Sequence, residues 1–341
     1  MAATIKDISR QTGLSLATIS KYLNGGNVLE KNRALIDQAV AELDYTVNEA
    51  ARSLKTKHSG YIGMLIPSLT NSFMMSMVNH VQAAVRAEGW GMSLCCLHSG
   101  SAPQRQEEER EATRFLMQKG IDGLINMPMN EDGIHLKEVL EAGIPVTLID
   151  KNIVELAGRV SAVVIDNVGA CRMLTDELLN AGHRRIAAVF DERNNYTVSR
   201  RHEGYRDACL QRGFEPDPSL CFFMDHQNAG EVREQLLARI RQHEVTAVLT
   251  GSESRLRYVL RLFREENIRI PEDVSLASID GVPDFDLAEI TSAVQPKEEL
   301  ARAAGELACA SARAAIRGEE YLPQLRTMNA WLFRGRSIRP C

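Results

Sequence analysis

The feature that most restricts how this chain can fold is a change of hydrophobic period at Tyr61. Beyond it, short apolar runs recur at Ile62–Ile66, Ser93–Leu97, Gly123–Asn126, Val146–Asp150, Ala162–Asp166, Ile186–Phe190, Ala247–Thr250, Ser275–Asp280 and Thr291–Gln295. Most are followed by a polar or glycine-containing turn and an amphipathic helical stretch, such as Phe73–Glu88 or Gln104–Gln118. Strands that alternate with helices predict βαβ units and parallel sheets. The stretch of about 280 residues exceeds what one doubly wound sheet fills comfortably, so two lobes are expected. The natural break between them lies near Lys151–Arg159.

Residues 1–58 contain no strand-like run. Their apolar positions (Ile5, Ile8, Leu14, Ile19, Leu23, then Leu35, Ile36, Ala39, Val40, Leu43) fall at helical spacing and predict three short helices. Thr4 and Asp7 form a capping box for the first, Gly13 supplies a turn, Ser15 caps a second that runs to about Asn24, and the third extends from about Glu30 to Leu43. Two helices joined by a tight glycine turn fit either a helix-turn-helix that enters a major groove or an ordinary three-helix bundle.

Charge leans toward the first. The whole chain carries −5, from 40 basic and 45 acidic side chains. Within 1–58, however, eight basic residues face six acidic ones, a local +2 that leaves −7 for the remainder. An acidic total is therefore poor grounds for excluding nucleic acid.

Two α/β lobes make a cleft at the carboxyl ends of their strands, where such sheets bind ligands. The chain has no G-x-G-x-x-G, G-x-x-x-x-G-K-[ST], G-x-S-x-G or H-E-x-x-H pattern, and its eight histidines are isolated. No catalytic residue, metal site or cofactor is expected, and an enzyme is unsupported. The seven cysteines are scattered without a Cys-x-x-Cys pair and are expected as reduced thiols filling small core sites. With no apolar run of 18 residues and no signal-peptide pattern in the first twenty, a cytoplasmic protein is expected.

The runs Thr4-Ile5-Lys6-Asp7-Ile8-Ser9-Arg10-Gln11-Thr12-Gly13-Leu14-Ser15 and Ala17-Thr18-Ile19-Ser20-Lys21-Tyr22-Leu23-Asn24 resemble the opening of the lactose/galactose repressor family of bacterial transcription regulators. Leu43 to Lys55 resembles that family's hinge helix, and a more diffuse similarity covers both lobes. The resemblance implies an N-terminal all-α helix-turn-helix domain (1–46), a hinge helix (47–58) and a two-lobed α/β domain like periplasmic binding proteins (59–341). Lobe one would comprise about 60–158 and 296–320, and lobe two about 159–290 and 321–338.

The same resemblance places Leu16, Ala17 and Lys21 against base edges, with Ser15, Thr18 and Ser20 suited to phosphate and Thr4 and Asn24 also among the DNA contacts. Leu16 and Ala17 suit a thymine methyl and Lys21 a guanine, with packing inside the bundle as the alternative for the two apolar residues. Lysine replaces the family's usual arginine at 21, so a bidentate fork becomes a point charge. In the hinge, Asn48 would cap a helix carrying Ala51, Leu54 and Lys55, with Leu54 as a minor-groove wedge. Val47 stands where the family usually has proline.

For the effector, the resemblance implies Asn71, Phe73, Arg201, Glu253 and Asp280. Glu253 would replace the family's aspartate within the divergent Thr250-Gly251-Ser252-Glu253. Phe73 in the core, and Arg201 paired with Asp280 or with backbone, remain alternatives. The segments Val164–Asn167 and Gln295-Pro296 read as architectural. The implied function is a homodimeric repressor of a palindromic DNA operator, controlled by a sugar or nucleoside/purine. A cytosolic α/β binding protein or enzyme, or a regulator answering to a protein partner, are the competing readings.

Overall fold

A computed structural model describes all of the chain except residues 1–2, 24–25, 46–57, 71, 98–101, 194, 226 and 282–288. It divides into two compact units, Met1–Ser59 and Gly60–Cys341.

The first unit contains α1 (Ile5–Thr12), α2 (Leu16–Leu23) and α3 (Glu30–Glu42). Asp7 accepts hydrogen bonds from the Thr4 N–H (2.9 Å) and Thr4 Oγ1 (2.7 Å), which fixes the start of α1. Gly13 ends that helix at φ 68°, a left-handed value that costs glycine nothing. Ser15 Oγ accepts the Thr18 N–H at 3.2 Å and starts α2. Ile8, Ile19, Ile36 and Ala39 are buried where the helices meet. Each isoleucine contributes about 1.5–3 kcal/mol to holding the unit together. Leu35, one of the apolar residues at helical spacing, is 45% exposed.

In chain order the second unit runs β1 (Tyr61–Ile66), α4 (Ser72–Ala87), β2 (Gly91–Cys96), α5 (Ala102–Gln118), β3 (Gly123–Asn126), α6 (Lys137–Glu141), β4 (Val146–Ile149), β5 (Ser161–Ile165), α7 (Asn167–Asn180), β6 (Ile186–Phe190) and α8 (Tyr196–Gln211). It continues with β7 (Cys221–Phe223), α9 (Ala229–Arg241), β8 (Ala247–Thr250), α10 (Glu253–Glu265), β9 (Ser275–Ile279), β10 (Thr291–Val294), α11 (Lys297–Arg317), β11 (Leu325–Met328) and β12 (Trp331–Phe333). Two six-stranded sheets result, ordered β11-β5-β4-β3-β1-β2 and β12-β10-β9-β8-β6-β7. Every pairing is parallel except β12 on β10.

The lobe boundary differs from the expectation. β5 pairs with β4 (Thr147 beside Ser161) and belongs to the first sheet, so the chain crosses after Ile165. Lys151–Arg159 is no linker: Ile153 and Leu156 are buried in the core of the first lobe. The chain crosses back between Val294 and Lys297, and α11 packs on α4, β3, β4 and β5. It crosses a third time between β11 and β12, so 321–338 is shared by both lobes.

Three strands escaped sequence reading. β7 has only three residues, and β11 and β12 alternate exposed with half-buried positions, so none forms an apolar run. The cysteines are free; Cys171, Cys209 and Cys309 are buried, Cys95, Cys96 and Cys221 are half-buried, and Cys341 is exposed. Not all of them fill the core, in correction of that expectation. Burial pushes the Cys171 and Cys309 thiols up to about 12, which makes them poor nucleophiles. No helix among the described residues is long and apolar enough to cross a membrane.

Candidate functional site

Two surfaces merit attention, one on each unit. On α2, Ile19 turns inward, Ala17 and Lys21 are exposed on the opposite side, and Leu16, the first residue of the helix, is 43% exposed. Helical spacing makes 17 and 21 neighbours. Packing in the bundle therefore does not explain Leu16. Gly26 follows closely, its N–H donating to the Lys21 carbonyl at 2.8 Å. A Cβ at 26 would sit 2.7 Å from Lys21 Cγ, so glycine is needed to leave the lysine stem in place.

The surrounding hydroxyls are partly engaged. Ser15 Oγ and Thr18 Oγ1 lie 2.9 Å apart, and Thr4 spends its hydroxyl proton on Asp7. Ser20 is half-buried. Asn24, and the hinge residues Asn48, Ala51, Leu54 and Lys55 with Val47, lie outside the described residues.

The second surface is a cleft of about 210 Å³ at the carboxyl ends of the strands in both sheets. Phe73, Arg201, Glu253 and Asp280 all line it. Asn71 lies outside the described residues. Phe73 is 7% exposed and belongs to the core of its lobe as well as to the cleft wall, with Lys297 Nζ 5.6 Å from its ring centre.

Arg201 and Asp280 are both buried, yet they do not pair with each other. The guanidinium donates from Nε to Asn167 Oδ1 at 2.7 Å and from Nη1 to the Gly251 carbonyl at 2.6 Å. Asp280 Oδ2 accepts from Gln295 Nε2 at 2.5 Å, and its other oxygen lies 3.9 Å from Lys297 Nζ. Glu253, the first residue of α10, reaches across the cleft. Its Oε2 accepts from Ser72 Oγ of the other lobe at 2.7 Å, and its Oε1 accepts from Arg257 Nε at 2.9 Å. Burial alone would raise this carboxyl, but the bonds from Ser72 and Arg257 outweigh it and the group lies below its ordinary value.

Several lining residues were missed from sequence. Asp150 directly follows β4 and Asp280 directly follows β9, at φ 70° and 58°. Aspartate tolerates this left-handed geometry, so an aspartate that ends an apolar run marks a cleft-facing strand end. Burial pushes the Asp150 carboxyl up, against the pull of Arg201 and Lys151. Gln295, read as architectural, lines the cleft, and its Oε1 is buried without a hydrogen-bond partner. Asn167, read the same way, positions Arg201. Gly251 is required where it stands, because a Cβ there would meet Phe190 Cδ1 at 2.5 Å.

A helix-turn-helix unit followed by a two-lobed binding-protein fold with a polar cleft defines a DNA-binding transcription regulator with a ligand-binding domain. Residues 4–48 match the family described as bacterial regulatory proteins, lacI family, and residues 175–338 match the periplasmic binding protein-like domain. The chain belongs to the lacI family. These regulators are not enzymes.

The chain is 28% identical over 307 residues to the HTH-type transcriptional regulator CelR of Thermobifida fusca, covering 88% of each chain. Its fold matches a transcriptional regulator CelR-cellobiose complex with a TM-score of 0.71 at 26% identity, over 98% of this chain and 100% of that one. It also matches the lac repressor dimer bound to operator and the anti-inducer ONPF, with a TM-score of 0.80 over 99% of each chain; at 19% identity this speaks for the fold alone.

Proposed function

We propose that the chain is a homodimeric repressor that binds a partly palindromic operator and changes its DNA affinity when a sugar or nucleoside fills the cleft. The observation that carries this reading is the exposure on α2 of Leu16, Ala17 and Lys21, which the unit's own core leaves uncovered. Two-fold symmetry of the dimer would require two half-sites at fixed spacing. In this reading Ser15, Thr18 and Ser20 bind phosphate, Leu54 enters the minor groove, and Thr4, Asn24, Asn48, Ala51 and Lys55 add further contacts to the operator. Residues 1–46, 47–58 and 59–341 act as head, hinge and effector domain.

Phe73, Arg201, Glu253 and Asp280, with Asn71, serve the effector. Buried acceptors and donors beside an aromatic ring suit a ligand rich in hydroxyls. The cellobiose bound by the CelR structure is such a molecule.

Operator affinity measured across salt concentrations tests the DNA half. Log affinity should fall linearly with log salt and vanish on deleting residues 1–58; an affinity indifferent to salt refutes it. Melting scans with sugars and nucleosides test the effector half, because a ligand that binds only the folded state must raise the midpoint.

A further inference from the structure

Cations and helix N-termini are what a cleft of this fold has available to hold an anionic group. Here both are already occupied by the chain's own carboxylates. The N-terminus of α8 points at the cleft, and its Tyr196 N–H donates to Glu131 Oε1 of the other lobe at 2.5 Å. The next amide, Thr197, donates to Asn195 Oδ1 at 3.0 Å. The N-terminus of α10 carries the Glu253 carboxylate in its own first turn. The α4 N-terminus presents Ser72, whose hydroxyl donates to that same Glu253.

The basic side chains are taken in the same way. Lys151 Nζ is 4.0 Å from Glu131, Arg255 Nε is 2.9 Å from Asp191, Arg257 Nη2 is 2.8 Å from Glu253 and Lys297 Nζ is 3.9 Å from Asp280. Arg201 faces Asp150 electrostatically and spends two nitrogens on Asn167 and Gly251. A phosphate ester of charge about −1.5 to −2 would find each of these cations, among the described residues, already facing a carboxylate, and an uncompensated charge is costly to bury. Among the described side chains that line the cleft, what stays open is an acceptor: Gln295 Oε1, in a side chain only 4% exposed, has no hydrogen-bond partner.

We infer that the cleft selects an uncharged, hydroxyl-bearing ligand that donates to Gln295, and that Glu131 and Glu253 exclude phosphorylated and other anionic ligands by filling the anion positions themselves. This rests on the effector reading above and narrows its ligand class.

The test is thermal melting of the full chain with inorganic phosphate against chloride at matched ionic strength, and with glucose and ribose against glucose 6-phosphate and ribose 5-phosphate. The native chain should not respond to phosphate. Glu131→Gln and Glu253→Gln, whose own melting curves report that they fold, should each gain a saturable phosphate response at least about 10-fold tighter than native. Any ester of a sugar that binds should bind at least about 100-fold more weakly than its parent. A native chain stabilised by phosphate, an ester as tight as its parent, or two variants as silent as native would each overturn the inference. Operator binding is measured separately. A phosphate ester that releases operator from the native chain sinks the exclusion and leaves the regulator reading standing, whereas a native chain that fails to bind operator does the reverse.

Discussion

Replacing Gly204 by alanine should loosen the helix pair that holds Arg201. Gly204 lies one turn beyond Arg201 on α8, and a Cβ there would come 2.2 Å from the Val168 carbonyl oxygen and 3.1 Å from the Arg172 nitrogen on α7. Both are backbone atoms and cannot rotate away. Reaching ordinary contact near 3.4 Å demands a separation of about 1.2 Å, in an interior packed too tightly to absorb it. Overpacking of this kind costs about 1–3 kcal/mol. The same displacement stretches the Arg201 bonds to Asn167 and Gly251, now 2.7 and 2.6 Å, past useful range.

Each bond to a charged group is worth about 1.5–3 kcal/mol, partly replaced by water once the helices part. Alanine returns about 1 kcal/mol of helix propensity. The net expectation is a loss of about 2–4 kcal/mol, or roughly 3–7 °C in the melting midpoint of a unit this large. Calorimetry of the full chain reads it, with Gly230→Ala as the control, since α9 leaves open space at that Cβ. If Gly204→Ala melts at or above the native temperature, as propensity alone predicts, the close approach of α7 and α8 is not what fixes Arg201.

Other expectations concern single groups. Leu29 occupies the N-cap of α3 without a side-chain hydrogen bond and is 65% exposed, so Leu29→Ser should stabilise the first unit by about 1 kcal/mol, seen as a higher melting midpoint. Asp150 is raised by burial, so its ionised form costs stability above the folded value and nothing below the ordinary carboxylate range. Asp150→Asn should then raise the midpoint of the ligand-free protein at pH 7, with the gain fading as pH falls toward about 4. His135 is buried, with Nε2 2.9 Å from Asn126 Oδ1, and burial lowers its value. Its contribution is complete above about pH 6.5 and is lost as pH falls below that, so denaturant melts of His135→Gln should show a flatter acid limb than native.

Much of this architecture could be read without coordinates because local signals agreed with the final packing. Gly123–Asn126, Ile186–Phe190 and Ala247–Thr250 are strands with the bounds their apolar runs suggested. Thr4, Gly13 and Ser15 mark helix ends by chemistry that acts within four residues. What stayed hidden depends on distant partners. β11 and β12 are strands only because β5 and β10 present free edges to them, and nothing in Leu325–Met328 announces that. The cleft shows the same division: Arg201 and Asp280 were legible from motif and strand end, while Gln295 and Asn167 matter because of the side chains they meet across the fold.

The third crossing has a consequence for the order in which this protein comes into being. The first unit has its whole core within 45 residues and can fold as soon as they are made. Neither sheet of the second unit is complete until residues 325–333 exist, because that short segment supplies an edge strand to each. Domains tend to fold as they emerge, N-terminal part first. During synthesis the DNA-facing head should therefore precede a finished ligand domain, and a chain cut short before β11 leaves the edges of β5 and β10 both uncovered.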